Sequence, residues 1–486
     1  MKKIYFILIV LMTTFSACTD KFEAYNTDQK HPADVPGESL FSNAQKELSD
    51  FTNNTNVNIN IFKLMSQYWT ETTYTDEANY DLITRNIPAN IYSRYYMRVL
   101  TDLKQSSKLI SDKEVLFDSE KPVKQNKLQI IELMNVFAYS QLVDIFGNIP
   151  YTEALDANNV YPKYDDAYTV YKNLFVRLDA ALAKLDVNAE SFGSSDIYYG
   201  GDVASWIKFG NSLKIRMAIT IADADNTLAK SAIESAAGKC FESNDDNCIL
   251  QYVTSAPNYN QLYAELIASG RHDFVAANTI VDKMNSLNDP RLASYFTLAD
   301  TSTVIGVEKL AYVGGEYGYN SPYGQYSHIN GKIAKPDFPG ILLTYSEIQF
   351  YLAEAKERGY TLPQTAATYY TEGVKASFDF WGTSGVDAYL LSPAVAYATA
   401  PGTWKQKIGL QSWIANYTRG LEGYTTWRRL DYPIFNLPES TTAYNQIPVR
   451  FTYPVNEQTL NTDKYKAAAT AIGGDLVTTK LFWDKY

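Results

Sequence analysis

Apolar residues recur along this chain at intervals of three and four. Ile131, Met134, Ala138, Leu142 and Ile145 form one stripe, and Tyr171, Phe175, Leu178, Leu182 and Leu185 form a second. Trp206, Leu213, Met217 and Ile221 share a third face. Tyr345, Ile348, Leu352 and Ala355 make a fourth, and after the break Gly-Tyr-Thr-Leu-Pro a fifth runs through Tyr370, Val374, Phe378 and Trp381. Each stripe is the apolar side of an amphipathic helix that must pack on a neighbour. The last two fit a helix-turn-helix unit of about 34 residues, the tetratricopeptide period. Small alanines in "LAEAKERGY" and "AATYYTEGVKASF" stand where two helices approach closely. One such unit cannot bury its own face, so the earlier helices should stack beside it. The pattern predicts a mainly α fold: an α/α superhelix of tetratricopeptide-like pairs with a long, loop-rich ligand-binding face.

Two stretches break the helical pattern at length, residues 251–273 and 311–340, both rich in aromatic residues, Gly or Pro. Loops of that size are commonly functional or disordered. At the other end, Lys2 and Lys3 precede an apolar segment from Ile4 to Met12, followed by Ser16, Ala17 and Cys18. The segment is too short to span a bilayer and has the layout of a secretory signal. Ser16-Ala17-Cys18 fits the junction at which a lipoprotein signal is cut, with Phe15 where Leu is more usual. Residues 1–17 are therefore expected to be removed and Cys18 to become an acylated N-terminus; a plain secretory signal is the competing reading. Three acyl chains would hold the protein permanently, because each buried methylene contributes about 0.8 kcal/mol. Residues 18–36 are polar, broken by Pro and Asn, and read as a tether; residues 37–486 make up the body.

Composition narrows the partners. A net charge of −11 argues against nucleic acid and against a body lying on anionic lipid. Thirty-nine tyrosines against seven tryptophans favour wet, half-buried surfaces of the kind that bind carbohydrate or peptide, although packing accounts for many of them. Cys240 and Cys248 flank the polar turn "FESNDDN", a spacing that permits a local disulfide; two buried thiols is the other reading.

Catalysis has little support. The three histidines, His31, His272 and His328, form no metal motif, and there is no nucleophile elbow, Walker loop or zinc spacing, so no cofactor or metal is expected. Two carboxylates suffice for a glycosidase, so that alternative stays open. Asp165-Asp166 and Asp245-Asp246 read more simply as a helix start and a solvated turn. Binding is better supported, because sugars present C–H faces that stack on rings while their hydroxyls seek Asn, Asp, Gln and Arg. In "SQYWTETTYTDEANYDLITRN", Tyr68, Trp69, Tyr74 and Tyr80 alternate with Gln67, Glu71, Asp76, Asn79 and Arg85 without steady period. In "YVGGEYGYNSPYGQYSH", Tyr312, Tyr317, Tyr319, Tyr323 and Tyr326 sit among four glycines, which suggests a surface loop displaying rings. Tyr68, Trp69, Tyr74, Tyr80, Tyr317, Tyr319 and Tyr323 are the candidate ligand contacts. The bland reading of each stretch is core capping for the first and a packing loop for the second. Trp427, Arg428 and Arg429 in "TTWRRLDYP" are expected to lock the last helix to the body.

Seven stretches, in this order, carry a resemblance: "YNTDQKHPADVPGESLFSNAQ", "QLVDIFGNIPYTEAL", "GDVASWIKFGNSLKIRMA", "DPRLASYF", "ILLTYSEIQFYLAEAKERG", "GLEGYTTWRRLDYP" and "IPVRFTYPVNEQTLN". Together they resemble the SusD/RagB-like surface lipoproteins over nearly the whole mature chain. The resemblance implies four tetratricopeptide-like units, an outer-membrane, cell-surface location through the lipid anchor, and pairing with a SusC-like TonB-dependent barrel transporter. It also implies capture of an oligomeric nutrient, typically an oligosaccharide or polysaccharide, without catalysis. A surface glycoside hydrolase and a peptide-binding or adhesion lipoprotein are the alternatives.

Overall fold

The computed structural model describes residues 35–300, 310–439 and 446–486. The signal segment, Cys18 and the tether as far as residue 34 lie outside the described residues. The longer helices are α1 (Gly37–Asn53), α2 (Thr101–Asp112), α3 (Glu120–Phe146), α4 (Ala167–Leu182), α5 (Val203–Thr220), α6 (Asn226–Ala236), α7 (Tyr345–Glu357), α8 (Ala366–Trp381), α9 (Trp404–Ala415), α10 (Gly420–Leu430) and α11 (Thr462–Ala471). The five apolar stripes fall on α3, α4, α5, α7 and α8, although Leu185 and Ile221 lie just past the ends of their helices.

Helix starts follow local chemistry. Asp166, Asp202 and Asp225 accept from the backbone N–H of Thr169, Ser205 and Leu228, and so cap α4, α5 and α6. Thr344 and Thr365 cap α7 and α8 in the same way, and Thr403 caps α9 in a reciprocal box with Gln406. Asp165-Asp166 is thus a helix start, and Asp245-Asp246 lies in a short 3-10 turn capped by Ser243.

Consecutive helices pair, α3 on α4, α5 on α6, α7 on α8 and α9 on α10. The first members stack on one another, α3 on α5, α5 on α7 and α7 on α9, so four pairs wind into one superhelix. α7 and α8 approach closely. A Cβ on Gly373 would lie 3.0 Å from the Phe350 ring, which leaves room there for glycine alone without a shift. Strands are short and come in antiparallel twos. β1 (Trp69–Glu71) pairs with β3 (Phe274–Ala276), and β2 (Cys248–Leu250) pairs with β4 (Gly340–Leu343).

The local disulfide that the spacing permits does not form: Cys240 and Cys248 are both free and buried. Each thiol is taken up by a different wall. Cys240 Sγ donates to the Ala237 carbonyl at 3.3 Å, while Cys248, inside the β2–β4 ladder, meets the Tyr199 hydroxyl. Burial pushes the Cys240 thiol up to about 12, so it is held as the unreactive thiol.

A buried ionic network crosses the stack. Glu347 on α7 accepts from Arg216 of α5 at 2.8 and 3.0 Å and from Arg419, just before α10, at 2.5 Å. Both arginines also donate to the Leu342 carbonyl of β4 at 2.9 Å. Burial alone would raise the Glu347 carboxyl, but the two guanidinium groups hold it well below the usual carboxylate range. Two turns further along α7, Glu354 takes Arg429 at 2.6 Å and Arg358 at 2.9 Å. Arg428 lies 4.1 Å from the Tyr424 ring centroid and 4.9 Å from that of Trp483, and donates to the Asp144 carbonyl at 2.7 Å. Trp427 stacks on Phe435 at 4.7 Å. The Trp-Arg-Arg run is therefore a lock on the body.

Glu347→Ala strands two buried guanidinium groups, so the unfolding free energy of the mature protein is expected to fall by about 3–5 kcal/mol in urea titrations. Removing the exposed Lys108–Asp112 pair should change it by less than about 0.5 kcal/mol.

Candidate functional site

The two ring-bearing stretches, residues 66–86 and 312–328, meet in space. β1 runs antiparallel to β3 with Trp69 opposite Ala276 and Glu71 opposite Phe274, and this brings residues 271–273 beside residues 72–74. The Gly-rich run joins on the far side of β3: Gly315 N–H donates to the Ala276 carbonyl at 2.8 Å, and Ala276 N–H donates to the Ser327 carbonyl at 2.9 Å. Two glycines permit this approach. A Cβ on Gly314 would sit 2.4 Å from the Asn278 nitrogen, and Gly318 has a φ of +78°. Gly318 N–H then donates to Thr70 Oγ1 at 3.1 Å, and Asn79 Nδ2 donates to the Gly318 carbonyl at 2.7 Å.

Burial divides the seven candidate rings. Tyr68, Trp69 and Tyr317 are fully buried and Tyr80 is 5% exposed, so the expectation that these four face a ligand is corrected. Each is fixed through its polar tip. Tyr68 Oη donates to the Trp413 carbonyl at 2.6 Å, and Tyr317 Oη donates to the Leu64 carbonyl at 2.9 Å. Trp69 Nε1 donates to Tyr417 Oη at 2.9 Å, and Gln67 Nε2 donates to Tyr80 Oη at 3.1 Å. These rings form the floor. Of the polar residues expected beside them, Gln67, Glu71 and Asn79 are buried as well.

Above the floor, Tyr74 is 69% exposed and Tyr319 is half-buried. Tyr323 is flanked on both faces: His272 stacks on it at 4.3 Å and His328 at 3.7 Å, with interplanar angles of 27° and 11°. A ring covered on both sides has no face left for a sugar, so Tyr323 is a spacer in a column of three rings. His328 Nε2 donates to the Tyr323 carbonyl at 2.7 Å and fixes the inner end. The outer end is the exposed His272, whose carbonyl accepts from Thr72 Oγ1 at 2.7 Å. Tyr312 and Tyr326 are half-buried at the flanks. Arg271 chelates Asp273 at 2.5 and 3.1 Å, and Asn320 Nδ2 reaches the Thr73 carbonyl at 3.5 Å.

The surface so built is an open face of rings, Tyr74, Tyr319 and His272, bordered by Asn, Arg and carboxylate groups. Two clefts of about 390 and 730 Å³ lie elsewhere, one lined by Tyr92, Tyr96, Pro150 and Glu457 and the other by Ile110, Leu116, Val123 and Lys127. Among the described residues no group of three His, Cys, Asp or Glu side chains converges on a metal position. His272 and His328 were missed in the sequence, and only the aromatic, Gly-containing character of residues 251–273 and 311–340 pointed toward them.

Scaffold and face together define a class: a helical-repeat protein that presents an aromatic loop surface. Residues 29–454 match the SusD-like family model described as starch-binding associating with outer membrane, and the chain belongs to that family. Among solved structures it is similar to a chitin-binding protein at 25% identity and a TM-score of 0.80, covering 93% of this chain and 100% of that one. A SusD homologue from Bacteroides uniformis aligns at 27% identity and a TM-score of 0.74, over 92% and 99% of the two chains. A chitin-binding SusD homologue from Flavobacterium johnsoniae aligns at 23% identity and a TM-score of 0.75, over 92% and 98%. No curated protein matches the chain.

The division between floor and displayed rings is measurable by chemical denaturation. Trp69→Ala should cost about 3–5 kcal/mol of folding stability, while Tyr74→Ala should stay within about 0.5 kcal/mol of the unaltered protein.

Proposed function

We propose that this protein is a cell-surface lipoprotein that binds an oligomeric glycan and delivers it to a SusC-like TonB-dependent outer-membrane transporter, without cutting it. The observation that carries the reading is the open ring face, Tyr74, Tyr319 and His272 above a rigid aromatic floor. Rings whose faces serve no core are available to the C–H faces of pyranoses, and the Asn, Arg and carboxylate groups at the border suit the hydroxyls. Two structurally similar proteins are named for chitin binding, which makes N-acetylglucosamine polymers the first ligand to try. Family membership supports association with the outer membrane, and the Ser16-Ala17-Cys18 junction supports attachment through an acylated Cys18, with residues 18–36 as tether to a body over 37–486. The resemblance, which implies pairing with such a barrel, supports delivery to the transporter. The hydrolase and peptide-binding alternatives have no observation of their own in their favour.

Calorimetry of the mature protein with chitin and starch oligosaccharides tests the reading. Tyr74→Ala and Tyr319→Ala should each weaken binding about tenfold, on the order of 1.4 kcal/mol, with folding unchanged. Release of shorter sugars during incubation would replace the binding role with a hydrolytic one, and mass spectrometry showing an unmodified Cys18 thiol would remove the anchor.

A further inference from the structure

The loop that displays Tyr74 begins and ends on buried glutamates. Glu71 closes β1 and is 3% exposed; Glu77, beyond residues 72–76, is 1% exposed. Glu71 Oε2 accepts from Ala78 N–H at 2.8 Å, and Glu77 Oε1 accepts from Arg85 Nε. Glu77 Oε2 is buried and receives no donor among the described residues, and the Glu71 and Glu77 carboxyls lie within hydrogen-bonding reach of one another. Of the two buried carboxyls only Glu77 has a cation, so a proton between them satisfies what the protein otherwise leaves unsatisfied.

The other groups around the pair do not relieve it. Asp76 adds a further negative charge within the loop, and Tyr317, from the Gly-rich run, faces Glu71 as a buried neutral hydroxyl. Just before the neighbouring strand β3, Arg271 and Asp273 neutralise each other. Arg85, partly exposed, engages Glu77 alone. Burial, with the Glu77 charge added, raises the Glu71 carboxyl well above the usual carboxylate range.

We propose that Glu71 and Glu77 form a proton-held clasp on the Tyr74 loop, so that loss of the shared proton loosens the loop and weakens glycan binding at this face. The displacement has a route to the second displayed ring. Asn79 Nδ2 joins the Thr75 carbonyl at 2.8 Å to the Gly318 carbonyl at 2.7 Å, and Tyr319 follows Gly318 directly. The sign is fixed by the direction of the shift. A carboxyl raised in the folded state contributes its stability fully below the ordinary carboxylate value and loses it as pH rises through the folded value. Affinity should therefore fall on the alkaline side.

The clasp rests on the glycan-binding reading for its consequence but not for its existence, and two measurements separate them. Glycan affinity is measured with chitin oligosaccharides from pH 5 to 9 on the purified mature protein and on Glu71→Gln, whose amide accepts from Ala78 N–H and donates to Glu77 without titrating. In parallel, hydrogen exchange of residues 72–80 is followed in both proteins without sugar, compared at each pH. The expected result is a loss of tenfold or more in affinity and in loop protection for the unaltered protein as pH rises, and flat profiles for Glu71→Gln. Matching profiles in the two proteins, or loop protection in the unaltered protein that does not change with pH, would overturn the clasp. If no oligosaccharide binds at any pH, the glycan reading fails and hydrogen exchange alone decides the clasp. Should Glu71→Gln fail to fold, Glu77→Gln, which supplies the donor from the other side, must give the same flat exchange profile.

Discussion

The Glu347 carboxylate between Arg216 and Arg419 is the constraint on which the remaining structure depends. It sits where three helix pairs and the edge of β4 converge, and every oxygen and most donors in it are committed to a partner on a different element. Such a cluster contributes little net stability compared with an apolar replacement, because desolvating three charges is costly. What it does is make other registers expensive. A slip of one turn between α5 and α7 would leave Glu347 without Arg216, and a buried unpaired charge costs far more than the apolar contacts such a slip could regain. Glu354 with Arg429 and Arg358, and Asp289 with Arg291, repeat the arrangement further along the stack. A superhelix of similar helix pairs could otherwise pack in several registers of nearly equal burial.

That fixed register carries through to the ring face. α9 supplies Trp413, whose carbonyl takes the Tyr68 hydroxyl and whose indole donates to the Ser66 carbonyl at 3.0 Å. Tyr417, just past α9, accepts from Trp69 and stacks on Tyr295 at 4.2 Å. The floor beneath Tyr74 and Tyr319 is therefore an extension of the last helix pairs, and its rings are oriented by hydrogen bonds, to main chain for Tyr68 and Tyr317 and to side chains for Trp69 and Tyr80, that packing alone would not specify.

The scaffold was legible because a half-buried helix leaves a period of 3.6 in its sequence, and the break Gly-Tyr-Thr-Leu-Pro fell between α7 and α8. The floor was misread for the converse reason. Residues 62–71 are buried on every side, so no polar face alternates with an apolar one, and the missing period looked like exposure. In the second stretch glycine did mark a loop. It also let that loop press against residues 277–278, which turned Tyr317 inward while Tyr319 stayed near the surface. The His272–Tyr323–His328 column joins segments more than fifty residues apart through β3, and no local pattern announces such a pairing. Cys240 and Cys248 show the same limit: their spacing allowed a bridge, and only the walls on either side decided against it.

An open face of few displayed rings on a rigid floor has thermodynamic consequences of its own. Because the floor is already ordered and the histidine column is already stacked, a ligand immobilises few side chains on arrival, and little of the contact energy is spent on ordering. Because the face is open, a sugar chain can lie across it and extend beyond both ends, whereas a closed cleft would select a terminus. The number of rings limits how tightly any one segment is held. The proposed hand-over to a transporter is better served by a preorganised, shallow platform than by an enclosing pocket, since release then needs no large rearrangement of the helical body.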